Sequence, residues 1–172
     1  IHQARTGEGQ SIDMALFDCQ TAALANQAMN YLSGGMVPKR LGNAHPNIVP
    51  YQVFETADGH IILAIANDGQ FRRFCHAVAF DHLAQDPRYA TNAARVGNRE
   101  DVIALLEPVF ARHSTADWIA NLEVANVPCG PINRINDVFE DPQAKARGLT
   151  ISMSHSQAGR LNLVASPLRM SA

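Results

Sequence analysis

The chain has 172 residues, 47% hydrophobic and 17% charged, and its 14 basic and 16 acidic side chains leave a net charge of −2. That is enough for one ordinary domain, or two small ones, to bury roughly two thirds of the unfolded surface, and the apolar content excludes disorder. The longest apolar run, residues 61–66, falls far short of the ~20 residues of a membrane span, and charges scattered along the chain offer no basic stripe for nucleic acid.

The chain opens on Ile1-His2-Gln3, with neither an initiator Met nor a basic-then-apolar leader, and is expected to be the interior of a longer protein. Cys19, Cys75 and Cys129 are odd in number, far apart and without C-x-x-C pairing, which points to a reducing compartment. The stretch Arg5-Thr6-Gly7-Glu8-Gly9-Gln10 lacks the third glycine of a dinucleotide fingerprint and the Lys-Ser/Thr of a P-loop, so a tight connection between helices is preferred to a phosphate cradle. Residues 11–32 contain no Pro or Gly and are apolar on nearly every face, predicting one helix with neighbours all round, Ser11 as its N-cap and Ser33-Gly34-Gly35 as its stop. Residues 36–50, with three prolines, are too broken for regular structure and mark a boundary. Within them Arg40, Gly42, Asn43 and His45 make either a plain turn or a loop able to close over a polar substrate.

Residues 51–56 and 60–66 form a predicted β-hairpin around Ala57-Asp58-Gly59, where Asp-Gly tolerates positive φ. Asn67-Asp68 is either the cap of the following amphipathic helix, marked by Phe71, Phe74, Cys75 and Val78, or a carboxylate and amide on an active-site rim. A turn at residues 86–89 follows. Val102, Ile103, Leu105, Leu106, Val109 and Phe110 mark a further helix that must accommodate Pro108 or end near it. Ser114-x-x-Asp117 resembles a capping box ahead of Trp118, Ile119 and Leu122. Residues 127–131 hold two prolines and a glycine and are expected as a rigid loop, in which Cys129 is better read as a small buried hydrophobe than as a nucleophile. Residues 135–147 predict one short helix closed by Gly148, and residues 149–153 and 161–164 two strands about a polar turn. The seven histidines form neither H-x-x-x-H nor H-E-x-x-H, so no metal site is expected. The fold class is α+β.

The ordered set of segments resembles the family III CoA transferases, which include formyl-CoA transferase, carnitine CoA-transferase and α-methylacyl-CoA racemase. The resemblance rests on Arg5 to Gln10 with Ile12-Asp13, then Gly42-Asn43-Ala44-His45-Pro46 with Pro50-Tyr51 and Phe54, then Asp58-Gly59-His60 and Asn67-Asp68-Gly69-Gln70-Phe71. It continues through Asp86-Pro87-Arg88-Tyr89, Asn92-x-x-Arg95-Val96-x-Asn98-Arg99, Trp118, Val127-Pro128-Cys129-Gly130-Pro131 and Ser166-Pro167-Leu168, and so spans the chain.

The resemblance implies a small α+β domain with a β-hairpin and several helices, flanked by pieces of a Rossmann-type large domain, in interlocked homodimers. On that pattern residues 1–32 are a large-domain helix, 33–50 a linker, 51–148 the small domain and 149–172 the returning segment. It implies transfer of CoA from an acyl-CoA to a small carboxylic acid through an anhydride and a thioester on an Asp, with the CoA thioester as substrate and no permanently bound cofactor. That Asp would lie upstream of Ile1, so none of Asp13, Asp18 or Asp68 corresponds to it, and this chain alone is expected to be inactive. Gly42, Asn43 and His45 would occupy the loop that shields the intermediates from water, with Asn67 and Asp68 on the rim. Asp68 falls near the position where racemases of the family carry a Glu, which keeps racemization as an alternative; a non-catalytic truncated module is another. A cytoplasmic location, with no nucleic-acid or membrane partner, completes the expectation.

Overall fold

A computed structural model describes residues 1–170, so the last two positions of the 149–172 segment lie outside the described residues. The chain divides into two compact units, Ile1–Pro46 and a second that starts at Asn47.

The first unit holds helices α1 (His2–Thr6), α2 (Leu16–Ala22) and α3 (Ala25–Gly34). Gly7, at φ 78°, ends α1, and Gly35, at φ 66°, ends α3 as the sequence predicts. The single helix expected over residues 11–32 is not formed. Residues 11–15 are non-helical, the N-cap of α2 is Ala15 rather than Ser11, and Ala25 sits at φ 44°, separating α2 from α3. No residue of these three helices is buried.

The second unit carries the core. Strands β1 (Tyr51–Glu55) and β2 (His60–Ala64) form the expected antiparallel hairpin, with Phe54 opposite Ile61. Alternation puts Phe54, Ile61 and Leu63 on the buried face. The hairpin tip does not use positive φ. Thr56 closes it instead, its N–H donating to the Gly59 carbonyl at 2.9 Å and its Oγ1 accepting from the Gly59 N–H at 3.1 Å. The expected loop at residues 127–131 supplies a third strand, β3 (Cys129–Pro131), antiparallel to β2 on the sheet's far edge. Proline is tolerated there because an edge strand leaves N–H positions unpaired.

Five helices follow, α4 (Asp68–Ala77), α5 (Asp81–Gln85), α6 (Asn92–Gly97), α7 (Arg99–Phe110) and α8 (Thr115–Val124); α7 packs on β1 and α8 on β2 and β3, while α4 packs against α8 and α5, and α6 against α7. Phe71, Phe74 and Cys75 are the buried stripe of α4; Val102, Leu106, Val109 and Phe110 are that of α7, whereas Leu105, expected on the same face, stays exposed. Pro108 lies in the last turn of α7. Ser114 caps α8 as predicted, its Oγ accepting from the Asp117 N–H at 3.1 Å. The helix expected over residues 135–147 is two, α9 (Ile135–Glu140) and α10 (Pro142–Ala146). Pro142 disfavours helical geometry at Asp141, which instead caps α10 by accepting from the Gln143 and Ala144 N–H groups. Strands β4 (Thr150–His155) and β5 (Gly159–Val164) make the second predicted hairpin, with Ile151 opposite Leu163 and Met153 opposite Leu161 on one face. The α+β class expected from the sequence is the one observed.

Candidate functional site

The start of α4 is built by local chemistry. Asn67 leaves β2 in an extended conformation, and its Oδ1 accepts from the Gln70 N–H at 2.9 Å. Gln70 Oε1 returns to accept from the Ala66 N–H at 2.7 Å, so two donors at the helix start are satisfied reciprocally. Asp68 is the first residue of the helix, where the macrodipole favours its charge.

Asp68 is also one half of an ion pair that the sequence reading missed. Its Oδ1 accepts from Arg95 Nη2 at 2.9 Å; the Arg95 side chain has no exposed surface, while that of Asp68 is 39% exposed. Arg95 Nε donates to the Val49 carbonyl at 2.6 Å and Nη1 to the Tyr89 carbonyl at 2.8 Å, and the guanidinium lies 4.2 Å from the centre of the Phe71 ring. Burial draws the Arg95 pKa below its ordinary value, and the hydrogen bond and charge of Asp68 oppose that shift. A buried cation lacking these acceptors would cost several kcal/mol, so the fork of donors explains how an arginine sits in a core.

Three residues earlier on α6, Asn92 accepts from the Val49 N–H at 3.1 Å and donates to the Asn47 carbonyl at 2.8 Å. A signal for both residues stood in the sequence, in an arginine set among Ala93, Ala94 and Val96, three positions after an asparagine. Their partners, however, lie up to 46 residues away.

Gly42, Asn43 and His45 fall in one turn of the first unit, where the Ala44 N–H donates to the Leu41 carbonyl at 3.0 Å. Gly42 has φ 59° with open space around it, so the position requires glycine for its backbone and not for room. Gly42 and Asn43 are exposed and His45 is half-buried. The structure thus brings Asn67 and Asp68 together on α4, and Gly42, Asn43 and His45 together on the turn, the two groups belonging to different units.

Cys75 and Cys129 are not poised as nucleophiles. Burial pushes the Cys75 thiol up to about 12 and also raises that of Cys129, which is half-buried on β3 and packs against the core. The Arg5–Gln10 segment is the end of α1 and its glycine cap, with no strand before it among the described residues.

Fold and site define an α+β module whose buried polar groups position backbone and a half-exposed carboxylate. The chain belongs to CoA-transferase family III, whose family model matches residues 1–172. It is 49% identical over 171 residues to a succinate–glutarate CoA-transferase of Agrobacterium fabrum, an alignment covering 99% of this chain and 43% of that protein. A human succinyl-CoA:glutarate CoA-transferase is 38% identical over 171 residues, covering 99% of this chain and 39% of that one. The crystal structure of a CAIB/BAIF family protein from Brucella suis superposes with a TM-score of 0.74 at 50% identity, over 99% of this chain and 44% of the other. The chain therefore spans about two fifths of the length of the curated relatives it matches.

Proposed function

We propose that the chain works within a family III CoA-transferase that moves CoA from a dicarboxylyl-CoA such as succinyl-CoA to a small dicarboxylic acid such as glutarate. The observation that carries this reading is its collinearity, over 99% of its length, with a succinate–glutarate CoA-transferase at 49% identity. In the proposed reaction a carboxylate nucleophile from outside these 172 residues attacks the thioester carbonyl, forming a mixed anhydride and releasing CoA thiolate. The thiolate attacks the enzyme carbonyl of the anhydride, freeing the donor acid and leaving an enzyme thioester. The acceptor carboxylate displaces CoA thiolate to form a second anhydride, and the thiolate then takes the acceptor acyl group and frees the enzyme carboxylate.

The contribution of this chain is the turn carrying Gly42, Asn43 and His45, which shields the intermediates from water, and the rim formed by Asn67 and Asp68. One oxygen of Asp68 is committed to Arg95, which suits a fixed rim carboxylate better than a group that shuttles an α-proton. In this reading residues 1–32 are part of a large domain, 33–50 a linker, 51–148 the small domain and 149–172 the returning segment, in a cytoplasmic homodimer that holds no permanent cofactor.

The test is incubation of the full-length protein with succinyl-CoA and glutarate in deuterated water. Glutaryl-CoA and free succinate are the expected products, with no deuterium at the α-carbon. Deuterium exchange without acceptor, or no transfer to any small carboxylic acid, overturns the reading.

A further inference from the structure

Two side chains of α6 determine how the chain enters β1. Asn92 and Arg95, three apart and so on one helical face, reach back to the backbone of residues 47–49. Asn92 takes the Asn47 carbonyl and the Val49 N–H, and Arg95 takes the Val49 carbonyl, so both polar backbone groups of Val49 are held by side chains. Val49 has no exposed surface, so water cannot replace either partner. These anchors begin two residues after His45, at the root of the turn that carries Gly42 and Asn43. The same guanidinium holds Asp68 at the start of α4 and the Tyr89 carbonyl at the turn before α6. Three donors of one rigid, planar group thus fix three separate segments, which a lysine ammonium on a flexible stem would not do.

We infer that Arg95 is a positioning residue of the transfer reaction, fixing from within the core both the root of the Gly42–His45 turn and the Asp68 carboxylate, with Asn92 as the second anchor of that root. The inference rests on the function proposed above. Arg95 has no exposed surface and so acts through what it holds. Loosening the root leaves the turn less able to cover an anhydride, and a reaction sensitive to misplacement of about 1 Å loses rate while water gains access.

The test uses Asn92→Ala and Asn92→Asp in the full-length protein. Asn92→Ala leaves the buried cation and its carboxylate in place and removes only the two bonds to the root. Its transfer kcat is expected to fall on the order of tenfold or more, with KM for the acyl-CoA unchanged and a larger fraction of thioester lost to hydrolysis. Amide exchange across residues 40–49 should quicken while β2 keeps its protection. Asn92→Asp, which can still accept from the Val49 N–H, should recover part of the rate. A wild-type protein that transfers no CoA overturns the proposed function and the inference with it. A wild type that transfers, with Asn92→Ala matching it in kcat and hydrolysis, overturns the inference alone, as does a rate loss accompanied by loss of protection throughout the core.

Discussion

Asp58 shows how one carboxylate can join two elements distant in sequence. At the tip of the first hairpin its Oδ1 accepts from the Thr115 N–H at 2.8 Å and the Thr115 hydroxyl at 3.0 Å, fastening the β1–β2 turn to the first residue of α8. The hydrogen bond from the Thr115 N–H, with that from its hydroxyl, holds the Asp58 carboxyl below its ordinary 3.8. A group whose folded pKa is depressed stabilises the fold above the unfolded value and loses that contribution as pH falls through the folded one. Asp58→Asn should therefore melt at a lower temperature than wild type at pH 6, and the difference should shrink as the pH is taken below 3.8. A gap that is constant over that range would show that the ionised form is not what matters. Asp-Gly identified this hairpin in the sequence through its tolerance of positive φ, yet the structure uses the aspartate as an acceptor. Asn67 and Ser114 were legible because their acceptor bonds close within three residues. Arg95 was marked only by its small apolar neighbours Ala93, Ala94 and Val96, and its acceptors, up to 46 residues away, could not be read from them.

Among the elements, α7 ties the core together through its final residue. The Phe110 ring stacks on Phe54 of β1 at 4.5 Å between centroids and on Phe74 of α4 at 5.9 Å, and meets Trp118 of α8 at 4.9 Å. The Phe110 carbonyl accepts from the Trp118 indole N–H at 2.9 Å. Truncating this ring removes contacts with three elements at once and opens a cavity between sheet and helices. Phe110→Ala should cost about 3–5 kcal/mol, read from urea unfolding followed by the fluorescence of the chain's single tryptophan. A loss under about 1 kcal/mol would mean that neighbouring rings collapse into the space. The 3.6-residue spacing of the α7 and α4 stripes was enough to read both helices, because the core face repeats along the element itself. The break at Ala25 carries no such mark, since an all-round apolar stretch without Pro or Gly looks continuous whether or not one residue turns left-handed. β3 was hidden for the opposite reason: two prolines and a glycine read locally as loop, and only pairing with Ile62 and Leu63, more than sixty residues earlier, makes the segment a strand. Asp141-Pro142 does carry its own signal, an extended residue before proline at a helix start.

Across the whole molecule, burial is distributed unequally between the two units. Every buried side chain among the described residues lies between Val49 and Ala144, and none belongs to the first 46 residues. Ile12, Leu16, Phe17 and Leu32 are each at least 74% exposed, although an apolar stretch of this kind is what a helix buried on all sides requires. Helices of five, seven and ten residues fall below the length at which propensity alone sustains a helix in water, so their stability must come from packing. In the first unit no residue of these helices is buried, and only Gln27, Ala28 and Asn30 are half-buried. The 172-residue chain prepared alone should therefore show slow amide exchange at Ile61, Leu63 and Phe74 and fast exchange throughout residues 1–46. Limited proteolysis should leave a resistant product beginning near Asn47, and a dye that fluoresces on apolar surface should lose signal once the first unit is cleaved away. Protection spread evenly over both units would show that the apolar helices of the first find burial within the isolated chain, contrary to the exposure that the structure assigns them.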